Sequence, residues 1–189
     1  MLDQRIQGLY GSTPNNNLNI ALIERIFNEH KVNILQYRHK TNNDKLKLEE
    51  AKRLLELCLQ HNTLFIVNDD INLCEKVGAD GVHLGQNDTS INTARERLGE
   101  KAIIGVSCYN QLQLALDAKA MGADYVSFGA LFISITKPTA SQCSLSVIKS
   151  AKEKLKLPIV GIGGITFENQ ELAFEAGCDA VAMLNGLFS

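Results

Sequence analysis

The chain has 189 residues, 19 basic and 21 acidic side chains, four histidines and 45% hydrophobic content. That length suits one ordinary domain with a sizeable core, and a charge so near balance, with no basic cluster beside the aromatics, argues against nucleic acid as a partner. No stretch approaches the ~18 consecutive apolar residues of a membrane span, and MLDQRIQGLY lacks the apolar run of a signal peptide, so a soluble, cytoplasmic protein with no membrane partner is expected.

Strand-like runs alternate with helical periodicity from one end to the other. GLYGS (8–12) is followed by LNIALIERIFNEH (18–30), which places Ile20, Ile23 and Phe27 on one helical face. VNILQYR (32–38) leads into DKLKLEEAKRLLELCLQH (44–61), predicted to bury a face made of Leu48, Leu55 and Leu59. The later strands are TLFIVN (63–68), GVHLG (81–85), AIIGVS (102–107), YVSFGA (125–130), PIVGIG (158–163) and AVAML (180–184), with helical segments or turns between them. KVGADGVHLG, AMGADYVSFG and EAGCDAVAML repeat one pattern of helix end, glycine, acidic residue and strand. The glycine fits a left-handed helix cap. Eight such units predict an α/β fold, a (β/α)8 TIM barrel over residues 1–189, with an open doubly wound sheet as the alternative; both put chemistry at the C-terminal strand ends. The chain stops at NGLFS, so the final helix is expected to be incomplete or missing: dispensable, covered by a partner subunit, or continued in a longer chain.

The strand ends carry the polar residues. Gln36, Arg38 and Lys40 alternate in QYRHK, and period-two spacing points them the same way. Asn68, Asp69 and Asp70 end the third strand, Asp88 follows the fourth, and Ser107 ends the fifth. Ser134, Thr136 and Lys137 lie in a loop after the sixth, GIGGI ends the seventh and LNG the eighth. Each feature alone has a plain reading: a solvated strand edge, a helix N-cap at Asp70, a surface loop, a glycine turn. His83 inside a strand reads as a packed histidine, and Cys108 as a small buried thiol without an activating base. Five scattered cysteines without a C-x-x-C pair read as free thiols, and zinc is not expected.

Together, two separated acidic positions, three cations and two hydroxyls fall on one rim. Asp69 and Asp88 come from adjacent strands, and two hard oxygen ligands with room for waters suit Mg2+ bound partly through substrate phosphates. Arg38, Lys40 and Lys137 would neutralise the remaining phosphate charge, and the backbone at GIGGI and after the eighth strand would form a phosphate cradle.

The ordered set GLY, QYRHK, FIVNDD, ADGVHLGQND, GVS, the TK loop, GIGGI and GCDAVAML resembles thiamine phosphate synthases along nearly the whole chain. The resemblance implies a transferase of thiamine biosynthesis that joins 4-amino-2-methyl-5-pyrimidinylmethyl diphosphate to a thiazole phosphate, plain or carboxylated. It implies that Gln36, Tyr37, Arg38, His39, Lys40 and Asn68 hold the pyrimidine and its diphosphate, with Ser107 and Lys137 completing the clamp. Arg38, Lys40, Ser107 and Lys137 would be the catalytic groups, and Asp69 and Asp88 the magnesium ligands. Ser134, Ile135, Thr136, Gly163, Gly164, Leu184 and Asn185 would receive the thiazole phosphate. Diphosphate departs first in that family, leaving a pyrimidinylmethyl cation for the thiazole nitrogen to capture, which suits a site without an activated nucleophile. Homo-oligomerisation, or association with a kinase that makes the pyrimidine diphosphate, stays open.

This chain departs from the family pattern in reading S-I-T-K where T-x-T-K is usual, in Tyr109 where many members carry histidine, in LNG-L-F-S where Ile-Ser is usual, and in its short C-terminus. The alternatives are a related thiazole tautomerase, which wants a histidine base and fits Tyr109 poorly, a non-catalytic barrel that binds thiamine phosphates or a partner protein, and another phosphate-binding barrel enzyme.

Overall fold

Strands flanked by helices on one side and by a barrel interior on the other are buried on both faces, and these strands are mostly apolar. In the computed structural model, which describes residues 5–15, 18–133 and 142–188, eight parallel strands alternate with eight helices. The order is β1 (Gly8–Ser12), α1 (Ile20–Glu29), β2 (Val32–Tyr37), α2 (Asp44–His61), β3 (Leu64–Asn68), α3 (Ile71–Val77), β4 (Gly81–Leu84) and α4 (Ile91–Leu98). It continues with β5 (Ile103–Ser107), α5 (Leu112–Ala120), β6 (Tyr125–Gly129), α6 (Leu145–Leu155), β7 (Ile159–Ile162), α7 (Gln170–Ala176), β8 (Ala180–Met183) and α8 (Asn185–Phe188). Each strand pairs with its sequence neighbours and β8 closes on β1, so the sheet is a barrel and the doubly wound alternative falls away.

Two apolar layers hold it. Ile34, Leu64, Ile66, Ile103, Val160 and Ala180 fill the interior, while Leu35, Phe65, Val67, Ile104, Val126 and Val181 point outward against the helices. The alternation is that of pleated strands. The repeated aspartates explain themselves at the far end from the rim. Asp80, Asp124 and Asp179 each donate a backbone N–H to the carbonyl of Phe65, Ile104 and Ile159, at 3.0, 2.8 and 2.8 Å. Each then accepts, through Oδ2, the N–H of that same residue at 2.8, 2.7 and 2.8 Å. The acidic residue of the repeat thus ties the start of its own strand to the start of the strand before it, satisfying backbone amides there. It does no chemistry at the rim.

Among the described residues the last helix, α8, is a single four-residue turn. One helical face differs from expectation. In α2 the buried residues are Ala51, Leu54, Leu57 and Cys58, whereas Leu48 and Leu55 are half-buried and Leu59 is 71% exposed. Leucines surround this helix, so periodicity alone had several solutions; the small Ala51 and Cys58 mark the side that approaches the sheet closely. Accordingly, Leu54→Ala should cost about 2–5 kcal/mol in chemical unfolding. Leu59→Glu should change stability by no more than about 0.5 kcal/mol.

Candidate active site

The rim residues are aimed by strand alternation. Gln36 is buried and accepts a hydrogen bond from Ser12 Oγ at 3.2 Å. Arg38, two residues on, is held at its backbone by Thr13: its N–H donates to Thr13 Oγ1 at 2.9 Å, and that hydroxyl donates to the Arg38 carbonyl at 3.2 Å. The guanidinium donates to Asn15 Oδ1. Lys40 is exposed. Tyr37 and His39 alternate to the other side. The Tyr37 hydroxyl donates to Glu50 Oε2 at 2.7 Å, and His39 Nδ1 lies 2.7 Å from the same oxygen. Their side chains are therefore turned toward α2 and anchor the strand end, and both line the same cavity as Arg38.

At the end of β3 the three adjacent polar residues divide. Asp70 caps α3, accepting from Leu73 N–H at 2.9 Å, and its Oδ2 is 3.0 Å from Lys47 Nζ. That ion pair and the cap bond hold its carboxyl below the ordinary value despite burial. Asp69 sits at φ 60°, a left-handed conformation that Asp and Asn tolerate better than most side chains. At this kink its carboxyl comes under the influence of Asp88. Burial first, then the bond to Asp88 and its charge, push the Asp69 carboxyl up to about 6, against the pull of Arg38 and Asn68. Asp88 is itself oriented by Gly85, whose N–H donates to Oδ2 at 2.7 Å. Arg38, Lys40, Asn68 and Asp69 line one cavity of about 140 Å³.

Two convergent carboxylates beside an arginine form a donor set for a hard cation that takes its other ligands from water or phosphate. Among the described residues no cluster of three or more histidine, cysteine, aspartate or glutamate side chains could hold a metal. Any cation at this pair would thus be incompletely ligated by protein, the usual situation of Mg2+. A stability consequence follows. The folded chain keeps the Asp69 proton up to about pH 6, whereas the ordinary carboxyl loses it near 3.8. Stabilisation from the proton-sharing pair is thus complete below the lower value and lost as pH rises through the upper one. Without divalent ions, the melting temperature of Asp69→Asn relative to the unaltered chain should rise as pH increases through about 6. Mg2+ at pH 7.5 should raise the melting temperature of the unaltered chain and leave the variant's in place. Pair-independent curves in a thermal-shift series would contradict this.

Farther round the rim, Gly163 and Gly164 adopt φ 96° and 65°, and a Cβ on either would meet Ala130 or the carbonyls of Phe132 and Ile133 within 2.5–2.6 Å. Only glycine fits that double turn. Asn169 locks it, donating from Nδ2 to the Gly164 carbonyl and accepting Thr166 N–H through Oδ1, both at 2.9 Å. Gly186 lies so close that a Cβ would meet Ile165 O at 2.9 Å, so the turn after β7 and the first turn of α8 adjoin. Leu184 is half-buried and Asn185 exposed there. Ser134, Ile135, Thr136 and Lys137 fall outside the described residues.

Ser107 is half-buried at the end of β5, its Oγ 3.0 Å from His83 Nε2. His83 is packed inside the barrel, where burial pulls its imidazole down to about 4. The Cys108 thiol is fully buried and pushed up to about 12 by that burial, which removes it as a nucleophile. Tyr109 is 48% exposed at φ 51°. Sequence reasoning did not find Glu50, Lys47 or Asn169; the signal for Asn169 was its spacing five residues beyond the second glycine.

Comparisons with known proteins agree over this same span. The profile described as thiamine monophosphate synthase matches residues 9–187. A thiamine-phosphate synthase of Nitrosococcus oceani is 51% identical over 155 residues, 82% of this chain and 71% of that protein. One from Nitrosomonas eutropha is 43% identical over 187 residues, 98% and 88% of the two chains. The solved thiamine phosphate pyrophosphorylase of Pyrococcus furiosus superimposes with a TM-score of 0.86 at 30% identity, covering 96% of this chain and 87% of that one.

Proposed function

The chain belongs to the thiamine monophosphate synthase family, and from that premise we propose that it condenses 4-amino-2-methyl-5-pyrimidinylmethyl diphosphate with a thiazole phosphate, releasing thiamine phosphate and pyrophosphate. The observation that carries the reading is the cavity that Arg38, Lys40, Asn68 and Asp69 line at the mouth of the barrel, with Asp88 acting on the Asp69 carboxyl. The bond from the pyrimidinylmethyl carbon to the diphosphate oxygen breaks and its electrons leave with the diphosphate. The thiazole nitrogen then donates its lone pair to the same carbon.

Little nucleophile activation is needed, so the chain's task is electrostatic and positional. Arg38 and Lys40 face the departing negative charge, with Lys137 joining them by motif. Asn68, which also bonds to Asp69, borders the diphosphate pocket, and Gln36, held by Ser12, faces the pyrimidine from the barrel wall. Tyr37 and His39 keep Arg38 in register through Glu50. Asp69 and Asp88 are the residues that would hold Mg2+, which when bound neutralises charge on phosphate oxygens. The double-glycine turn, with Asn185 and the Ser134–Thr136 segment, takes the thiazole phosphate. Whether that thiazole is plain or carboxylated is a choice made at the same end of the mouth.

Purified protein incubated with both substrates and Mg2+ should accumulate thiamine phosphate and pyrophosphate in equal amounts. Folded protein that yields neither overturns the proposal.

A further inference from the structure

Glu50 of α2 holds both neighbours of Arg38 through one oxygen. Its Oε2 accepts the Tyr37 hydroxyl at 2.7 Å and lies 2.7 Å from His39 Nδ1. Imidazole and carboxyl are largely shielded from water, at 12% and 16% exposure. The Tyr37 ring stands edge-on to the imidazole, with centroids 6.5 Å apart. Among the described residues the other ring nitrogen, Nε2, has no hydrogen-bond partner. No buried side-chain nitrogen or oxygen among them lacks one, so Nε2 is the end that solvent reaches. His39 also lines the cavity of Arg38, Lys40, Asn68 and Asp69. One end of the ring is thus anchored on α2, and the other is left for whatever enters the mouth.

The anchored end fixes the tautomer. A carboxylate oxygen 2.7 Å from a ring nitrogen needs a hydrogen between them, since two facing lone pairs repel. An imidazole is ordinarily the stronger base of the two by about two units, so that hydrogen belongs to Nδ1. A neutral ring therefore offers a lone pair at Nε2, and a protonated ring offers an N–H there. The charged groups around the ring are Glu50 and Lys47 of α2, Arg38 and Lys40 at the end of β2, and Asp69 and Asp70 after β3. Glu50 favours the imidazolium, and the three cations oppose it. An anion seated among those cations cancels their opposition, and an anionic oxygen beside Nε2 adds its own attraction.

We propose that His39, poised by Glu50, takes up one proton at Nε2 when diphosphate binds in this cavity and donates that hydrogen to a diphosphate oxygen. The proton comes from solvent and returns there when the diphosphate leaves, so the ring ends as it began. The imidazolium adds positive charge only while the anion is present. Its hydrogen bond strengthens as the departing diphosphate gains negative charge. Glu50 is the positioning residue in this arrangement. The identity of the anion rests on the synthase reading; the tautomer of His39 rests on Glu50 alone.

Two measurements test the proposal. In protein labelled with 15N-histidine, the His39 signals are identified among the four histidines by their loss in His39→Gln. As pH rises the ring should lose its Nε2 proton and keep Nδ1–H, and saturating Mg2+ and inorganic pyrophosphate should move the midpoint upward by about one unit or more. A neutral ring protonated at Nε2, or a midpoint that bound pyrophosphate leaves in place or lowers, overturns the proposal. Glu50→Gln should lower the midpoint of the free ring; an unchanged midpoint overturns the part given to Glu50. The second measurement is calorimetric. Proton uptake requires that the affinity of the unaltered protein for pyrophosphate with Mg2+, relative to His39→Gln, rise as pH falls between the bound and free midpoints, by about tenfold for each unit between them. A ratio that stays flat with pH overturns the proposal, because a histidine that only props the strand end would weaken binding equally at every pH. Protein that binds no pyrophosphate at any pH removes the diphosphate reading itself, a failure distinct from binding without proton uptake.

Discussion

Asp69→Asn and Asp88→Asn should each reduce magnesium-dependent turnover by about 10²–10³-fold, the range seen when one preorganised electrostatic contact is removed from a developing charge. Asp70→Asn should stay within a few-fold of the unaltered protein. The three carboxylates are close in sequence, or close in composition, yet the fold gives them different work. Asp69 is turned to Asp88 by its left-handed backbone, and asparagine accepts that same φ, so the substitution removes charge without disturbing the chain. Asp88 is held by the Gly85 amide, a bond that asparagine can also accept through its carbonyl oxygen. Asp70 spends its oxygens on Leu73 N–H and Lys47, and asparagine caps helices about as well as aspartate. Raising Mg2+ should recover part of the loss in each of the first two variants, since one carboxylate ligand remains. Equal retention of turnover by all three variants would remove the metal from Asp69 and Asp88.

Gly105→Ala should destabilise the protein by about 1–3 kcal/mol through overpacking, a loss of roughly 2–10 °C in melting temperature for a chain of this size. A Cβ at this position would fall 2.0 Å from the ring of Tyr125, far inside contact distance. That ring cannot swing away without giving up its bonds to Tyr10 and His83, and it belongs to the buried interior cluster that includes Ile103 and Val160. Glycine at 105 is thus the space into which a large interior tyrosine fits. Gly78→Ala makes a useful contrast: nothing lies within 4 Å of its Cβ, so any loss there reports the cost of φ 73° alone.

The barrel was legible because each strand is a short apolar run closed by a turn signal, and all eight fall where those runs were read to within about a residue or two. The division of labour in Asn68, Asp69 and Asp70 was legible in part, since an aspartate directly before an apolar helix start announces a cap. The face of α2 was not. Leucines at 46, 48, 54, 55, 57 and 59 satisfy several helical stripes at once, and only the sheet selects the one with Ala51 and Cys58. The hydrogen bond between Tyr10 and Tyr125 inside the barrel was hidden for another reason. Tyrosine in a strand is ordinary by propensity, and what makes these two meet is barrel closure, which brings residues 115 positions apart to 3.0 Å. Glu50 was invisible as well: it looks like any helix-surface acid until β2 delivers Tyr37 and His39 to it.

The central claim is that the mouth near β2, β3 and β4 is a magnesium–diphosphate site built on Asp69, Asp88 and Arg38. Calorimetric titration with inorganic pyrophosphate tests it most directly. Pyrophosphate should bind the unaltered protein tightly only when Mg2+ is present, and that dependence should collapse in Asp69→Asn and Asp88→Asn while surviving in Asp70→Asn. Binding that is equally strong without Mg2+, or indifferent to both of the first two substitutions, would contradict the account.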